Sequence, residues 1–167
     1  AIIFSPAVRA PAIAQVQFAG NNVITAEALQ AAVAGVAIGA AYNEPDFQRI
    51  LDSSVRRLYD DRGRIRVKFP KITVAQAEGV DGVAVTVEVD EGEAYTLGAV
   101  RLAGEALPEE ELLKAANIKT GDVANFSDIN AGVERLRQRL SRSGYLKPET
   151  SVERVIDDGE HKVDVVI

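Results

Sequence analysis

Apolar and polar residues alternate along several short stretches of the chain, and such alternation predicts β-strands. The most regular stretch spans residues 83–89, where every second residue is valine. Two other stretches, 16–20 and 100–104, each place two apolar residues two positions apart and end in glycine. Apolar residues at period two also follow Gly63, until Pro70 interrupts them. Because proline has no amide to donate, we expect this strand to lie at a sheet edge and to be bulged at Pro70.

Each of the two glycine-ended strands is followed by a short stripe of apolar residues at helical spacing, and then by a second, longer stripe. The short stripes predict a first helix from Leu29, Val33 and Val36, and in the later stretch from Leu112, Leu113, Ala116 and Ile118. The long stripes predict a second helix from Phe47, Ile50, Leu51, Val55 and Leu58, and then from Ile129, Val133, Leu136 and Leu140. Asn43 and Asn125 precede the long stripes and predict their N-caps.

These elements recur in the same order, so the chain contains an internal repeat. Residues 16–20 return 84 positions later, the Gly39 to Asp46 landmarks return 82 positions later, and Gly63 returns as Gly144. Each copy reads β-α-α-β-β, which predicts an α+β fold of two tandem domains, each a small three-stranded mixed sheet covered by two helices. We place the domains at residues 11–93 and 94–167, with residues 1–10 as the end of a preceding repeat or a linker.

Composition narrows the function classes. Of the 167 residues, 47% are hydrophobic and 26% are charged, with a formal net charge of −6 and no cysteine. A net negative chain lacks the basic face that nucleic acid requires, and without cysteine there are no disulfides or thiolate metal sites. The chain starts at alanine and contains no methionine, so we expect it to be a segment of a longer protein.

The duplicated motifs resemble those of the polypeptide-transport-associated (POTRA) domain. The resemblance rests on the strand ending at Gly104, the stretch from Gly121 to Asp128, the helix end at residues 140–146, and the acidic-glycine link at residues 91–95. It covers almost the whole chain. POTRA domains occur in tandem in the periplasmic part of outer-membrane assembly proteins of the BamA and surface-antigen type.

What this resemblance implies is a periplasmic scaffold of a Gram-negative type envelope and not an enzyme. The expected partners are unfolded outer-membrane polypeptides, accessory assembly proteins and a C-terminal membrane barrel in the parent chain, with no cofactor, nucleic acid or small-molecule substrate. The alternative is an architectural tandem that docks partner proteins in a division-type or two-partner-secretion membrane protein.

Two surfaces are candidate binding sites. An edge strand offers unpaired backbone groups to any extended peptide, which predicts a peptide-binding edge formed by Ile65, Arg66, Val67, Lys68, Phe69, Ile72 and Val74. Its lysines also have a simpler interpretation, since lysine on an exposed edge discourages aggregation. Arg135, Arg139 and Arg142 share one helix face, either as a basic face for a partner or as the solvated back of an amphipathic helix.

Catalytic and metal sites are not predicted. The one histidine, His161, lies in a stretch of Asp, Gly and Glu that is typical of a polar turn. Neither a phosphate-binding glycine loop nor a serine nucleophile motif is present in the sequence.

Overall fold

The structure is a computed structural model that describes residues 10–104 and 108–167. These residues form two compact units. The first unit contains residues 10–58 and 67–91, and the second contains residues 59–66 and 92–167. The predicted end of a preceding repeat, at residues 1–10, lies outside the described residues except for Ala10. The domain boundaries at 11–93 and 94–167 remain a prediction.

The first unit follows the predicted order of strands and helices. Its elements are β1 (Ile13–Ala19), α1 (Ala26–Ala37), α2 (Glu44–Ile50), a π-helical segment (Leu51–Val55), the start of α3 (Arg56–Asp60), β2 (Lys68–Gln76) and β3 (Val83–Asp90). The sheet order is β1-β3-β2, with β1 parallel and β2 antiparallel to β3. The register between β2 and β3 shifts between Lys68 and Lys71, which confirms the irregularity predicted at Pro70.

The second unit repeats this topology. Its elements, beside residues 59–66, are β4 (Thr96–Arg101), α4 (Glu109–Ala116), α5 (Phe126–Arg142), β5 (Glu153–Asp157) and β6 (Lys162–Val166). The sheet order is β4-β6-β5, again with one parallel and one antiparallel pair. Two separate three-stranded mixed sheets with helices confirm the predicted α+β class.

The helix N-caps form as the sequence predicts. The side-chain oxygen of Asn43 accepts a hydrogen bond from the amide of Asp46 at 3.3 Å, and Asn125 accepts one from the amide of Asp128 at 3.2 Å. Each bond satisfies one of the amide donors that a helix leaves unpaired in its first turn. The long helices therefore begin at the same landmark in both copies.

The buried helix faces differ from prediction at two positions. In α1, Val36 is 53% exposed and Ala37 is fully buried, so the buried residues follow a spacing of four: Leu29, Val33 and Ala37. In the long helical stretch from Glu44 to Asp60 the buried residues are also four apart: Phe47, Leu51, Val55 and Tyr59. A π-helical turn is wider than an α-helical turn, and it moves the buried position from the predicted Leu58 to Tyr59.

The apolar side chains of the second unit form two clusters. One lies beneath the sheet and contains Ile129 of α5 with strand residues such as Leu97 and Val163. The other joins α5 to α4 through Leu112, Ala116, Leu136 and Leu140. All four predicted stripe residues of α5 are buried, so one helix contributes to both clusters.

Glu91 is a buried carboxylate that holds the loop between β1 and α1. It is 8% exposed, and its oxygens accept hydrogen bonds from the backbone amides of Asn22 at 2.6 Å and Val23 at 2.9 Å. Charge-assisted bonds of this kind are stronger than neutral ones, and here they give the part-buried loop amides an acceptor within the protein.

Replacing Glu91 with alanine should lower the free energy of unfolding by about 1 to 3 kcal/mol, because both loop amides lose their acceptor. Urea denaturation followed by circular dichroism measures this loss. Glu93→Ala is the matched control, since Glu93 is two residues away and exposed. Equal midpoints for the two variants would show that the Glu91 bonds add nothing to stability.

Candidate functional site

At one edge of the first sheet, the start of β1 is paired with the chain segment that follows α1. The amide of Gly39 donates to the carbonyl of Ile13 at 2.8 Å, and the amide of Ile13 donates to the carbonyl of Ala40, also at 2.8 Å. Ala12 and Ala41 form an antiparallel bridge at the same place. The start of β1 is therefore already paired on its outer side.

In the second sheet, the start of β4 is paired in the same way with the segment that follows α4. Gly121 donates to the carbonyl of Leu97 at 2.7 Å, and Leu97 donates to the carbonyl of Asp122 at 2.9 Å. Gly39 and Gly121 are repeat landmarks, and both adopt a positive φ, 85° and 90°. A glycine tolerates this left-handed conformation, which turns the chain from the helix onto the strand. Pairing of the first strand's start with the segment after the first helix is thus part of the repeat.

The opposite edges, β2 and β5, are open. Within residues 10–104 and 108–167, β2 has β3 as its one strand neighbour and β5 has β6. An open edge presents amides and carbonyls that can pair with another extended chain. The candidate site is therefore the outer side of β2 in the first unit and of β5 in the second.

The hydrogen-bond alternation of the β2 hairpin identifies the outward groups. The amide of Ala77 donates to the carbonyl of Gly82 at 3.0 Å. Because bonded and non-bonded pairs alternate in an antiparallel ladder, the residues of β2 at 71, 73 and 75 bond to β3. The intervening residues point their amides and carbonyls away from the sheet: Ile72, Val74 and Gln76.

The same reasoning applies to β5. Thr96 donates to the carbonyl of His161, and Ile167 donates to the carbonyl of Arg101, so the odd-numbered residues of β6 face β4. Its even-numbered residues then face β5 at positions 153, 155 and 157. Arg154 and Ile156 therefore carry the outward backbone groups of β5.

The predicted peptide-binding edge is partly corrected by the strand boundaries. β2 begins at Lys68, so Ile65, Arg66 and Val67 are not strand residues, and the expectation that the strand starts at Ile65 is wrong. Ile65 is buried in the core of the second unit, and Val67 is 1% exposed with its carbonyl accepting from Arg56 at 2.8 Å. The four remaining residues lie in β2: Lys68, Phe69, Ile72 and Val74.

Arg66 is held by the acidic turn between β5 and β6. Its guanidinium donates to both carboxylate oxygens of Asp158, at 2.9 and 3.0 Å, and the hydroxyl of Tyr95 donates to the same carboxylate. These bonds, that of Arg66 first, lower the pKa of Asp158. The turn between β5 and β6, which the sequence predicted only to be polar, therefore anchors residues 59–66 within the second unit.

The predicted basic face of α5 is largely engaged within the second unit. Arg135 donates to the carbonyl of Ala116, at 2.8 and 3.1 Å, and so satisfies a carbonyl at the C-terminal end of α4. Arg139 pairs with Glu111 of α4 at 3.1 Å, while Arg142 is exposed. Two of the three arginines thus fasten α4 to α5.

In the described part of the chain, no group of three or more histidine, cysteine or acidic side chains is arranged to hold a metal ion. Across the same residues, every helix is too short or too polar to cross a bilayer. The His161 ring lies beside the Tyr95 ring, with the two centroids 5.4 Å apart and the ring planes tilted by 59°.

One known protein-family model matches the chain twice, once in each copy of the internal repeat. The POTRA family model, described as surface antigen variable number repeat, matches residues 11–92 and again residues 95–167. The chain belongs to the POTRA family. This confirms the resemblance carried by the duplicated motifs, and both copies of the POTRA domain have the β-α-α-β-β order.

Solved structures show the same POTRA fold. Over 93% of its length this chain superposes on POTRA domains 3–5 of BamA from Haemophilus influenzae, with a TM-score of 0.62 and 19% identity. It also superposes on BamA from Haemophilus ducreyi lacking POTRA domains 1–3, with a TM-score of 0.59 and 18% identity. The chain spans 59% and 28% of the lengths of these two structures.

Proposed function

We propose that this POTRA tandem is a periplasmic scaffold of an outer-membrane β-barrel assembly or protein-translocation protein, and that it binds unfolded outer-membrane polypeptides by strand augmentation. The observation that carries the proposal is the asymmetry of the first sheet: the start of β1 is paired with residues 39–41, and β2 has no such pairing on its outer side among the described residues. An extended chain can add to β2 through its backbone groups.

The surface of β2 suits a broad range of sequences. The outward groups of Ile72, Val74 and Gln76 belong to the backbone, which every polypeptide can match. Val74 is 39% exposed and offers an apolar contact beside them. Affinity from a few exchangeable hydrogen bonds is low, because each bond replaces one to water. Weak and sequence-tolerant binding is what a holder of unfolded chains requires.

The proposed partners extend beyond the unfolded polypeptide. Accessory assembly proteins and a C-terminal membrane barrel of the parent chain are the partners that a BamA-like scaffold would serve. Arg142 is exposed, and unlike Arg135 and Arg139 it is not engaged with α4 in the described residues, so it can contact such a protein. The family membership and the BamA fold support this assignment.

A proline at Val74 tests strand augmentation at β2. Val74→Pro removes an outward amide while leaving the ladder bonds to β3 in place, so an edge strand should tolerate it. We expect peptide binding at β2 to weaken by about tenfold, the effect of roughly one to two lost hydrogen bonds. Chemical-shift titration with a ten-residue peptide of alternating apolar residues, patterned on a membrane strand, measures the affinity.

Val74→Ala is the matched control, because it removes the same side chain and keeps the amide. Binding that falls equally in both variants would assign the contact to the valine side chain and not to the backbone. Binding that both variants retain in full, with folded spectra, would reject augmentation at this edge.

A further inference from the structure

The two open edges carry charges of opposite sign on their solvent faces. On β2, Lys71 lies opposite the exposed Glu88, whereas Ile72 and Val74 lie opposite buried valines of β3. The odd positions of β2 therefore belong to the solvent face. Beyond the register shift, Lys68 lies opposite the exposed Asp90 and so shares the solvent face with Lys71. These two exposed lysines are the charged residues of β2.

On β5 the corresponding positions are acidic. Glu153 and Asp157 are exposed and share one face with Val155, which is 51% exposed. Arg154 is the basic residue of this strand, and it lies on the other face, with its guanidinium 3.6 Å from the ring centroid of Phe126 and 3.1 Å from a carboxylate oxygen of Asp60. The solvent face of β5 thus presents two carboxylates at its rim.

The neighbouring strands β3 and β6 carry charges opposite in sign to those of the edge strands β2 and β5. Glu88 and Asp90 of β3 stand opposite the β2 lysines, and Lys162 of β6 stands opposite Asp157. An added strand would lie about 4.8 Å from the edge strand and about twice as far from the inner strand. The second distance is comparable to the Debye length at physiological salt, so the rim charges dominate the field on the added strand.

We propose that the open edge of β5 is a second strand-accepting site and that it selects extended polypeptides with basic side chains, whereas β2 selects acidic ones. This inference rests on the proposed function. The backbone groups that pair, Arg154 and Ile156 on β5, give affinity without regard to sequence. Cross-strand charge pairs then discriminate between chains, as they do between neighbouring strands of one sheet.

Two peptides of ten residues test the selection, one with lysine and one with glutamate at two positions of an otherwise identical alternating valine and threonine strand. Each is titrated into the isotope-labelled full chain, and amide shifts report β2 and β5 separately. At low salt the lysine peptide should bind β5 about threefold to tenfold more tightly than the glutamate peptide, with the reverse order at β2. Near 1 M salt both ratios should approach one.

Glu153→Lys leaves one lysine and one carboxylate on the solvent face of β5, so it should abolish the preference there and leave that at β2 unchanged. Glu110→Lys makes the same charge change on α4 and should leave both preferences as they were. Equal binding of the two peptides at β5 at low salt would overturn the inference while strand addition itself stands. Absence of shifts at both edges with either peptide would reject the proposed function, and the inference with it.

Discussion

Replacing Val55 with aspartate should unfold the first unit, at a cost of roughly 3 to 5 kcal/mol. Val55 is completely buried in the π-helical segment, on the same face as Phe47 and Leu51. A carboxylate there would lose its hydration without gaining a partner, and it would either stay charged at high cost or take up a proton. Amide spectra should lose the dispersed resonances of β1, β2 and β3.

Val36→Asp is the matched control on the same unit, since Val36 is 53% exposed. It should change stability by no more than about 0.5 kcal/mol. Leu136→Asp is the reciprocal experiment, because Leu136 is buried between α4 and α5. It should remove the resonances of the second unit first. Simultaneous loss of both units in either variant would contradict independent cores.

Gly63→Ala should be strongly destabilising although it adds a single methyl group. Gly63 has a φ of +71°, and a Cβ there would stand 2.7 Å from the Tyr95 carbonyl oxygen and 2.8 Å from a methyl group of Val123. The left-handed backbone costs an alanine about 1 to 2 kcal/mol. Displacing the neighbours adds about 1 to 3 kcal/mol. Thermal or urea denaturation should therefore show a loss of about 2 to 5 kcal/mol.

Its repeat equivalent separates the two causes. Gly144 has a φ of +97°, but a Cβ there would meet no atom within 4 Å. Gly144→Ala should cost only the backbone contribution, about 1 to 2 kcal/mol. If the two alanine variants were equally stable, the close packing around Gly63 would be irrelevant to folding.

The features that the sequence predicted correctly depend on local patterns. The N-caps at Asn43 and Asn125, the bulged edge at Pro70 and the stripe of α5 each involve residues within one or two turns of each other. The internal repeat strengthened these predictions, because each copy of the unit predicts the same element independently. The fold class followed from the order of elements.

The errors arose where geometry departs from an ideal element. The π-helical turn shifts burial from Leu58 to Tyr59, and nothing in the apolar pattern marks it, since both residues are large and apolar in part. In α1 the choice between Val36 and Ala37 is equally ambiguous, because the helix is apolar on most sides. Burial there depends on what the helix packs against.

Long-range pairings were outside the reach of sequence patterns. The ion pair between Arg66 and Asp158 joins residues 92 positions apart, and it explains why strand pairing does not begin at Ile65. The pairing of residues 39–41 with the start of β1 is also long-range, although the repeated glycine at Gly39 and Gly121 already marked the turn in the sequence.

Pairing at the start of one edge strand sets how many extended chains each unit can take up. A three-stranded sheet has two edges to which a strand could add, but in each unit the segment after the first helix already pairs with the start of β1 or of β4. A strand that added along the full length of that edge would have to displace this segment, whereas β2 and β5 need no such displacement. We therefore expect the described residues to bind one strand per unit at saturation.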